Sequence, residues 1–308
     1  MNIIFMGTPD LSVPSLEKLY NENHSIDLVI TQPDKRKGRG KKLLPTPVKN
    51  KANKLDLEVF QPKNVNSLES IERINKLNPD VIVVVAYGQI LKEEILSIPK
   101  YGCINVHTSL LPKYRGAAPI NWAIINGEKE TGVTTMIMEK GLDTGDMLLK
   151  EKLVIDDELT VGELHDNLMN MGAELIVKTL EKIEDLKPIP QDDNLSSYAP
   201  KMDKTIGKID WAETKEKIKN LVRGTNPFPG SYSYYKGEKF KIYKVDIDEK
   251  LYSGKLGQIT DVNNEGIFVK VKNGTIIIKE VQFPGKKKIK VSEYIRGNEI
   301  EVGTILGE

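Results

Sequence analysis

The hydrophobic positions of the first two hundred residues alternate between two rhythms. Short β-branched runs at residues 3–6, 26–31, 81–86 and 103–107 read as strands. Amphipathic stretches at 14–23, 46–54 and 68–77 read as helices between them. Strand–helix alternation predicts a largely parallel sheet with helices on both faces, a Rossmann-like α/β domain. Residues 81–86, Val-Ile-Val-Val-Val-Ala, have no polar position, as expected for a central strand buried on both sides. Two further strands, at 132–138 and 147–155, flank the turn-rich segment 139–146, and a helix over about 160–183 follows.

Both rhythms fade between residues 187 and 205. That stretch is polar, contains Pro188, Pro190 and Pro200, and reads as an interdomain linker. The expected organisation is a first domain at 1–187, a linker at 188–205 and a second domain at 206–308. After a short helix near 214–223, strands at 240–245, 257–262, 266–271 and 275–281 are separated by Gly and Asn turns. Asn273-Gly274 is a hairpin signal. The second domain is expected to be a small β-barrel, OB-like in strand count and length.

Composition adds boundaries to this picture. A length of 308 residues fits two cores better than one. A hydrophobic fraction of 39% with 29% charge excludes a largely disordered or fibrous chain. No apolar run reaches the ~18 residues of a membrane helix. The first strand starts at once with Asn2-Ile3-Ile4-Phe5-Met6, so no signal or transit peptide is expected. A cytoplasmic chain without a membrane partner is the expectation. Cys103, the single cysteine, excludes an internal disulfide and a Cys-rich zinc site. His24, His107 and His165 are too far apart for a local metal motif. With no long apolar seam, the chain is expected to be a monomer.

The formal charge of +1 hides an uneven distribution. Residues 206–308 hold 19 basic and 14 acidic side chains, and the first 205 hold 26 basic and 30 acidic. Lys35, Arg36, Lys37, Arg39, Lys41 and Lys42 put six positive side chains into eight positions with no acid among them. This predicts a long mobile basic loop. Such a loop is either simply solvated or suited to a polyanion. Lys286, Lys287 and Lys288, with six of the eleven tyrosines, give the second domain basic and aromatic surface. These residues read either as a track for a nucleic-acid backbone or as a solvated hairpin over a tyrosine-containing core.

The candidate chemistry lies at the end of the 103–107 strand. Alternation puts Cys103, Asn105 and His107 on one face and Ile104 and Val106 on the other. Asn105 and His107 then project together near the strand's C-terminal end, the edge at which open α/β sheets bind ligands. An amide and an imidazole so placed suit oxyanion stabilisation and proton transfer. The same spacing also describes an ordinary histidine at a strand end. Gly141-Leu142-Asp143-Thr144-Gly145-Asp146 reads as a turn carrying carboxylates, one of which can orient the imidazole if it reaches it. Gly7-Thr8-Pro9 after the first strand lacks a dinucleotide fingerprint, and no phosphate-binding Walker sequence is present, so NAD and ATP use are unsupported.

The run Asn105-Val106-His107-Thr108-Ser109-Leu110-Leu111-Pro112-Lys113-Tyr114-Arg115-Gly116-Ala117-Ala118-Pro119 closely resembles the signature of the folate-dependent formyltransferases. Phe5-Met6-Gly7-Thr8-Pro9-Asp10, Val85-Ala86-Tyr87-Gly88, Gly141-Leu142-Asp143-Thr144-Gly145-Asp146 and Asn226-Pro227-Phe228-Pro229-Gly230 fall in the family's order. With Gln32-Pro33-Asp34 and the basic segment after it, the likeness points to the branch whose acceptor is charged initiator tRNA. It implies transfer of a formyl group from 10-formyltetrahydrofolate to the α-amino group of methionyl initiator tRNA, with no metal. It also implies Asn105, His107 and Asp143 as the catalytic trio. Folate contacts are implied for Ser109, Leu110, Leu111 and Pro112, and for Ala86, Tyr87, Gly88, Gln89, Ile90 and Leu91. The loop with Arg39 resembles the one that reaches the tRNA acceptor end. Thr108 departs from the pattern, where a smaller residue is expected. The rival readings are an enzyme formylating a nucleotide sugar or glycinamide ribonucleotide, a formyl-folate hydrolase, and a catalytically silent RNA-binding protein.

Overall fold

The computed structural model describes residues 1–37 and 42–307. By packing, the chain forms two compact units. The first is Met1–Gly116, Thr131–Leu153 and His165–Ala199; the second is Ala117–Glu130, Val154–Leu164 and Pro200–Glu308. The chain therefore passes between the units more than once, and most of the stretch read as a linker packs with the first.

The chain opens with β1 (Asn2–Gly7), α1 (Val13–Asn21), β2 (Ser25–Ile30), β3 (Lys35–Lys37) and β4 (Lys42–Leu44). Next come α2 (Pro47–Lys54), β5 (Val59–Phe60), α3 (Leu68–Leu77), β6 (Val81–Val85), α4 (Glu93–Leu96) and β7 (Cys103–His107). It continues through β8 (Arg115–Gly116), α5 (Pro119–Ile125), β9 (Glu130–Ile137), β10 (Met147–Val154), α6 (Val161–Glu181) and β11 (Tyr198–Ala199). The main sheet has the order β10-β9-β7-β6-β1-β2-β5. It is parallel from β7 to β5 and antiparallel where β7 meets β9.

Local chemistry accounts for these elements. Every residue of β6 is buried, as its unbroken apolar sequence requires. Thr46 and Ser67 cap α2 and α3, their side chains accepting the N–H groups of Lys49 and Ser70. Ile4, Met6, Leu28, Ile30, Ile82 and Val84 share one core cluster on the sheet. The register sets Gly7 opposite Val85 and Val84 opposite Asn105, so β1, β6 and β7 end along one carboxyl edge.

The basic segment differs from its expectation. Its flanks are not irregular loop but the antiparallel ribbon β3–β4, pairing Lys35 with Leu44, Arg36 with Leu43 and Lys37 with Lys42. Backbone pairing needs no apolar alternation, so a lysine-rich ribbon leaves no trace in the hydrophobic pattern. Arg39 and Lys41 lie outside the described residues.

The second unit contains α7 (Lys215–Thr225), β12 (Ser231–Tyr235), β13 (Glu238–Asp248), β14 (Ile259–Asn263), β15 (Gly266–Val271), β16 (Gly274–Gln282), β17 (Ile289–Lys290) and α8 (Val291–Tyr294). Its antiparallel sheet runs β12-β13-β16-β15-β14, with β17 also on β16. Phe240, Ile242, Ile259, Val269, Ile276 and Val281 share one core with Ile218 and Val222 of α7. The hairpin after β15 turns on Lys272 and Asn273, because Gly274 already pairs with Val271. Asn273 serves instead at the start of α7: its side chain accepts the Lys215 N–H at 2.9 Å and donates to Glu216 at 2.9 Å.

Candidate active site

Asn105 and His107 stand at the carboxyl end of β7, Asn105 half-buried and His107 only 6% exposed. His107 Nε2 lies 3.0 Å from the Tyr114 carbonyl oxygen. A carbonyl only accepts, so Nε2 carries the hydrogen and the neutral ring keeps its lone pair on Nδ1. Nδ1 faces Asp143 Oδ2 at 3.8 Å. The same carboxylate oxygen accepts the Gly116 N–H at 2.9 Å. Asn105 Nδ2 reaches Asp143 Oδ1 at 3.5 Å, a long bond that constrains the amide only weakly. The arrangement offers an imidazole nitrogen ready for a proton, a carboxylate to stabilise the resulting imidazolium, and an amide donor beside both.

Asp143 is held by its backbone as much as by its side chain. It adopts a φ of 53°, in the left-handed region that suits Asp better than most residues. Gly145 has no alternative, since a Cβ there falls 1.9 Å from the Ile137 carbonyl oxygen. The turn closes through the Ile137 N–H, which donates to Asp146 O at 2.9 Å. Gln191 Nε2 donates to the carbonyls of both Asp143 and Gly145 at 2.8 Å. Its Oε1 accepts from Arg115 Nε at 2.9 Å. Tyr114, at φ 61°, donates its N–H to Ser197 Oγ at 2.9 Å, and the Arg115 N–H donates to Ser197 O at 2.8 Å. Both partners of His107 are thus braced by residues 191–197. Sequence reading missed Gln191 and Ser197; the one trace was apolar Ile189 between two prolines, which bridges to Met147.

The residues expected to meet folate divide in two. Ala86, at φ 45°, Gly88, at φ 93°, and Ile90 are exposed after β6. Leu110 and Pro112 are half-buried after β7. The side chains of Tyr87 and Leu91 instead pack in the sheet core at 2% and 3% exposure. Burial pushes the Tyr87 phenol up to about 12, and its hydroxyl meets no partner among the described residues. Gln89 is tied down by accepting the Val65 N–H at 2.9 Å. Ser109 donates to Lys113 O at 2.7 Å, and Leu111 packs against Met136 and Met147. Thr108 is buried.

Of the residues expected to meet tRNA, Lys35, Arg36 and Lys42 are exposed on the β3–β4 ribbon. Lys37 pairs through its backbone. Lys286, Lys287 and Lys288 are exposed on the connection from β16 to β17. Lys288 is partly neutralised by Glu280 at 2.6 Å and lies over the Tyr243 ring. The aromatic residues nearby are engaged internally. Phe283 stacks on Phe240 and Tyr294 at 5.1 and 4.5 Å, and Lys239 covers Tyr232 at 3.3 Å. Among the described residues, no three His, Cys, Asp or Glu side chains gather where they could hold a metal ion, and no helix is long and apolar enough to cross a membrane.

A sequence model described as Formyl transferase matches residues 1–180, and one described as Formyl transferase, C-terminal domain, matches residues 201–299. The methionyl-tRNA formyltransferase of Clostridium tetani is 54% identical over 309 residues, covering 99% of each chain. That of Acetivibrio thermocellus is 51% identical over 311 residues, covering 100% of each. The chain belongs to the methionyl-tRNA formyltransferase family. It is a formyl-transferring enzyme. Likeness to solved structures supports the fold. An N-formyltransferase from Helicobacter canadensis, solved with folinic acid and dTDP-3-aminofucose, superposes with a TM-score of 0.69 at 22% identity, covering 93% of this chain and 99% of its own. HypX from Aquifex aeolicus, solved with tetrahydrofolic acid, gives 0.64 at 18% identity over 98% of this chain and 50% of its own. Within the methionyl-tRNA formyltransferase family, the carboxyl edge of β7 is where this chain gathers its amide, imidazole and carboxylate.

Proposed function

We propose that this chain transfers the formyl group of 10-formyltetrahydrofolate to the α-amino group of methionyl initiator tRNA, with Asn105, His107 and Asp143 as its catalytic residues. The observation that carries the assignment of residues is the free Nδ1 of His107 facing Asp143 at 3.8 Å beside Asn105. The amine attacks the formyl carbon, forming a C–N bond and a tetrahedral oxyanion. Asn105 donates a hydrogen bond to that oxygen. His107 Nδ1 takes the proton lost by the amine, and Asp143 stabilises the imidazolium formed. Collapse of the intermediate breaks the carbon–N10 bond, and the proton returns from His107 to N10. One bond forms, one breaks, and no proton is gained or lost overall. The step uses neither a metal nor a formylated enzyme, because an N10-formyl group needs polarisation more than a Lewis acid.

The exposed residues after β6, with Leu110 and Pro112, form the folate side of the site in this reading. Tyr87, Leu91, Ser109 and Leu111 contribute through backbone and packing. The basic segment, including Lys35, Arg36, Arg39 and Lys42, binds the tRNA acceptor arm. The C-terminal domain, residues 206–308 with Lys286, Lys287 and Lys288, holds the tRNA body; its 19 basic against 14 acidic side chains support this. The enzyme acts in the cytoplasm as a monomer.

The test offers 10-formyltetrahydrofolate with charged initiator tRNA, charged elongator tRNA and nucleotide sugars in parallel. Formylation confined to methionyl initiator tRNA is expected. Preferential formylation of a sugar refutes the acceptor assignment. A formylated side chain trapped by mass spectrometry during turnover refutes the direct transfer.

A further inference from the structure

We infer that Gln191 is a positioning residue for the formyl transfer, acting through Asp143. This inference rests on the catalytic reading of Asp143 above. The Asp143 turn is closed at its base by the Ile137 N–H on Asp146 O, and within it Asp143 sits at a positive φ. Gln191 restrains the interior of the turn. A single carboxamide NH2 spends its two hydrogens on two carbonyls of one turn, Asp143 O and Gly145 O, both at 2.8 Å. Satisfying both at once requires those carbonyls to converge, which fixes the backbone on either side of Thr144.

The other end of the same side chain is fixed as well. Gln191 Oε1 accepts from Arg115 Nε at 2.9 Å, and Arg115 Nη2 lies 2.8 Å from Asp193 Oδ1. Arg115 is followed by Gly116, whose N–H binds the Asp143 carboxylate, and preceded by Tyr114, whose carbonyl binds His107. Gln191 therefore joins the turn that carries the carboxylate to the strand β8 that aims it and the ring. This takes two donor hydrogens and an acceptor on one planar group, which only a carboxamide provides. A carboxylate offers two acceptors to two carbonyls, and an aliphatic side chain offers nothing. The ordering is local to these groups, and neither substrate is touched by Gln191 in this scheme. A change there is therefore expected in kcat rather than in KM.

The test is a double-mutant cycle on the full chain, with kcat and KM for both substrates and thermal unfolding for each variant. Gln191→Met keeps length and removes the hydrogen bonds. It is expected to lower kcat about tenfold to a hundredfold, as misplacement of a catalytic group does, with KM for both substrates unchanged. In an Asp143→Asn background the same substitution is expected to cost little more, because its effect passes through the missing carboxylate. Gln191→Glu keeps the partner for Arg115 but replaces the donor facing the two carbonyls. It is expected to be no better than Gln191→Met, whereas rescue by Glu shows that the Arg115 contact alone matters and overturns the proposal. Unchanged kcat in Gln191→Met, or a full additional loss in the Asp143→Asn background, also overturns it. If Gln191→Met does not fold, the Glu variant and its Asp143→Asn combination give the same decision. Asp143→Asn with normal kcat refutes the catalytic reading instead, so the two failures are distinguishable.

Discussion

The carboxylate of Asp143 is the group whose removal tests the site most directly. Asp143→Asn keeps the shape of the side chain and an oxygen for the Gly116 N–H, and exchanges the charge, with the weak acceptor at Oδ1, for an amide NH2. In the proposed mechanism that charge acts when His107 Nδ1 becomes protonated, 3.8 Å from Oδ2. The two side chains are 7% and 16% exposed, so the pair is neither dry nor fully solvated. At an effective dielectric of about 20, unit charges at that separation attract by about 4 kcal/mol. Each ~1.4 kcal/mol is a factor of ten in rate, so kcat is expected to fall by about three powers of ten. The loss belongs to the transition state, and the KM values for folate and tRNA are expected to stay within about threefold. Steady-state and single-turnover formylation of charged initiator tRNA measures both. A kcat within tenfold of the parent, or a loss that appears wholly in KM, would falsify the assignment of the carboxylate.

Gly145→Ala brings a Cβ to 1.9 Å from a backbone oxygen, which no side-chain rotation relieves. Activity is expected to fall more than ~100-fold, as it does when a catalytic group is displaced by about 1 Å, with a drop in melting temperature; a variant of parental activity shows that the turn does not position Asp143. Tyr87→Phe removes a buried hydroxyl that has no partner among the described residues, so stability is expected to rise by roughly 1 kcal/mol, read by denaturant unfolding, with folate binding unchanged. A loss of stability shows that the hydroxyl is satisfied. Burial pushes the Cys103 thiol up to about 12, so it stays protonated well above neutrality. An aromatic disulfide reagent at pH 8 is expected to label it only after unfolding; rapid labelling of the native protein contradicts its burial.

The parts legible in the sequence are those whose cause is local. Period-two alternation over residues 103–107 places Asn105 and His107 together, and the register against β6 and β9 shows them at the sheet edge. The all-apolar run at 81–86 marks the central strand one residue too long, because Ala86 already turns with φ 45°. The ribbon β3–β4 and the tyrosine-rich β12 were not legible. The ribbon is held by backbone pairing, its β4 side wholly exposed, and the buried positions of β12, Ser231, Tyr232 and Ser233, are polar rather than aliphatic. Asp143 was visible only as a carboxylate in a turn, and the family resemblance supplied its role. Gln191 was the least legible of all. It lies 48 residues from the turn it restrains, inside a proline-flanked polar stretch whose composition says linker.

The tether between His107 Nε2 and the Tyr114 carbonyl has a kinetic consequence. With one ring nitrogen committed, the imidazole is a one-port device: a proton that enters at Nδ1 leaves at Nδ1. It cannot be passed through the ring from one side of the site to the other. The attacking amine and N10 of the donor must therefore both come within reach of a single point, in one complex. Initial-velocity patterns with both substrates varied should be sequential, with intersecting reciprocal plots, and parallel lines are the pattern this geometry forbids.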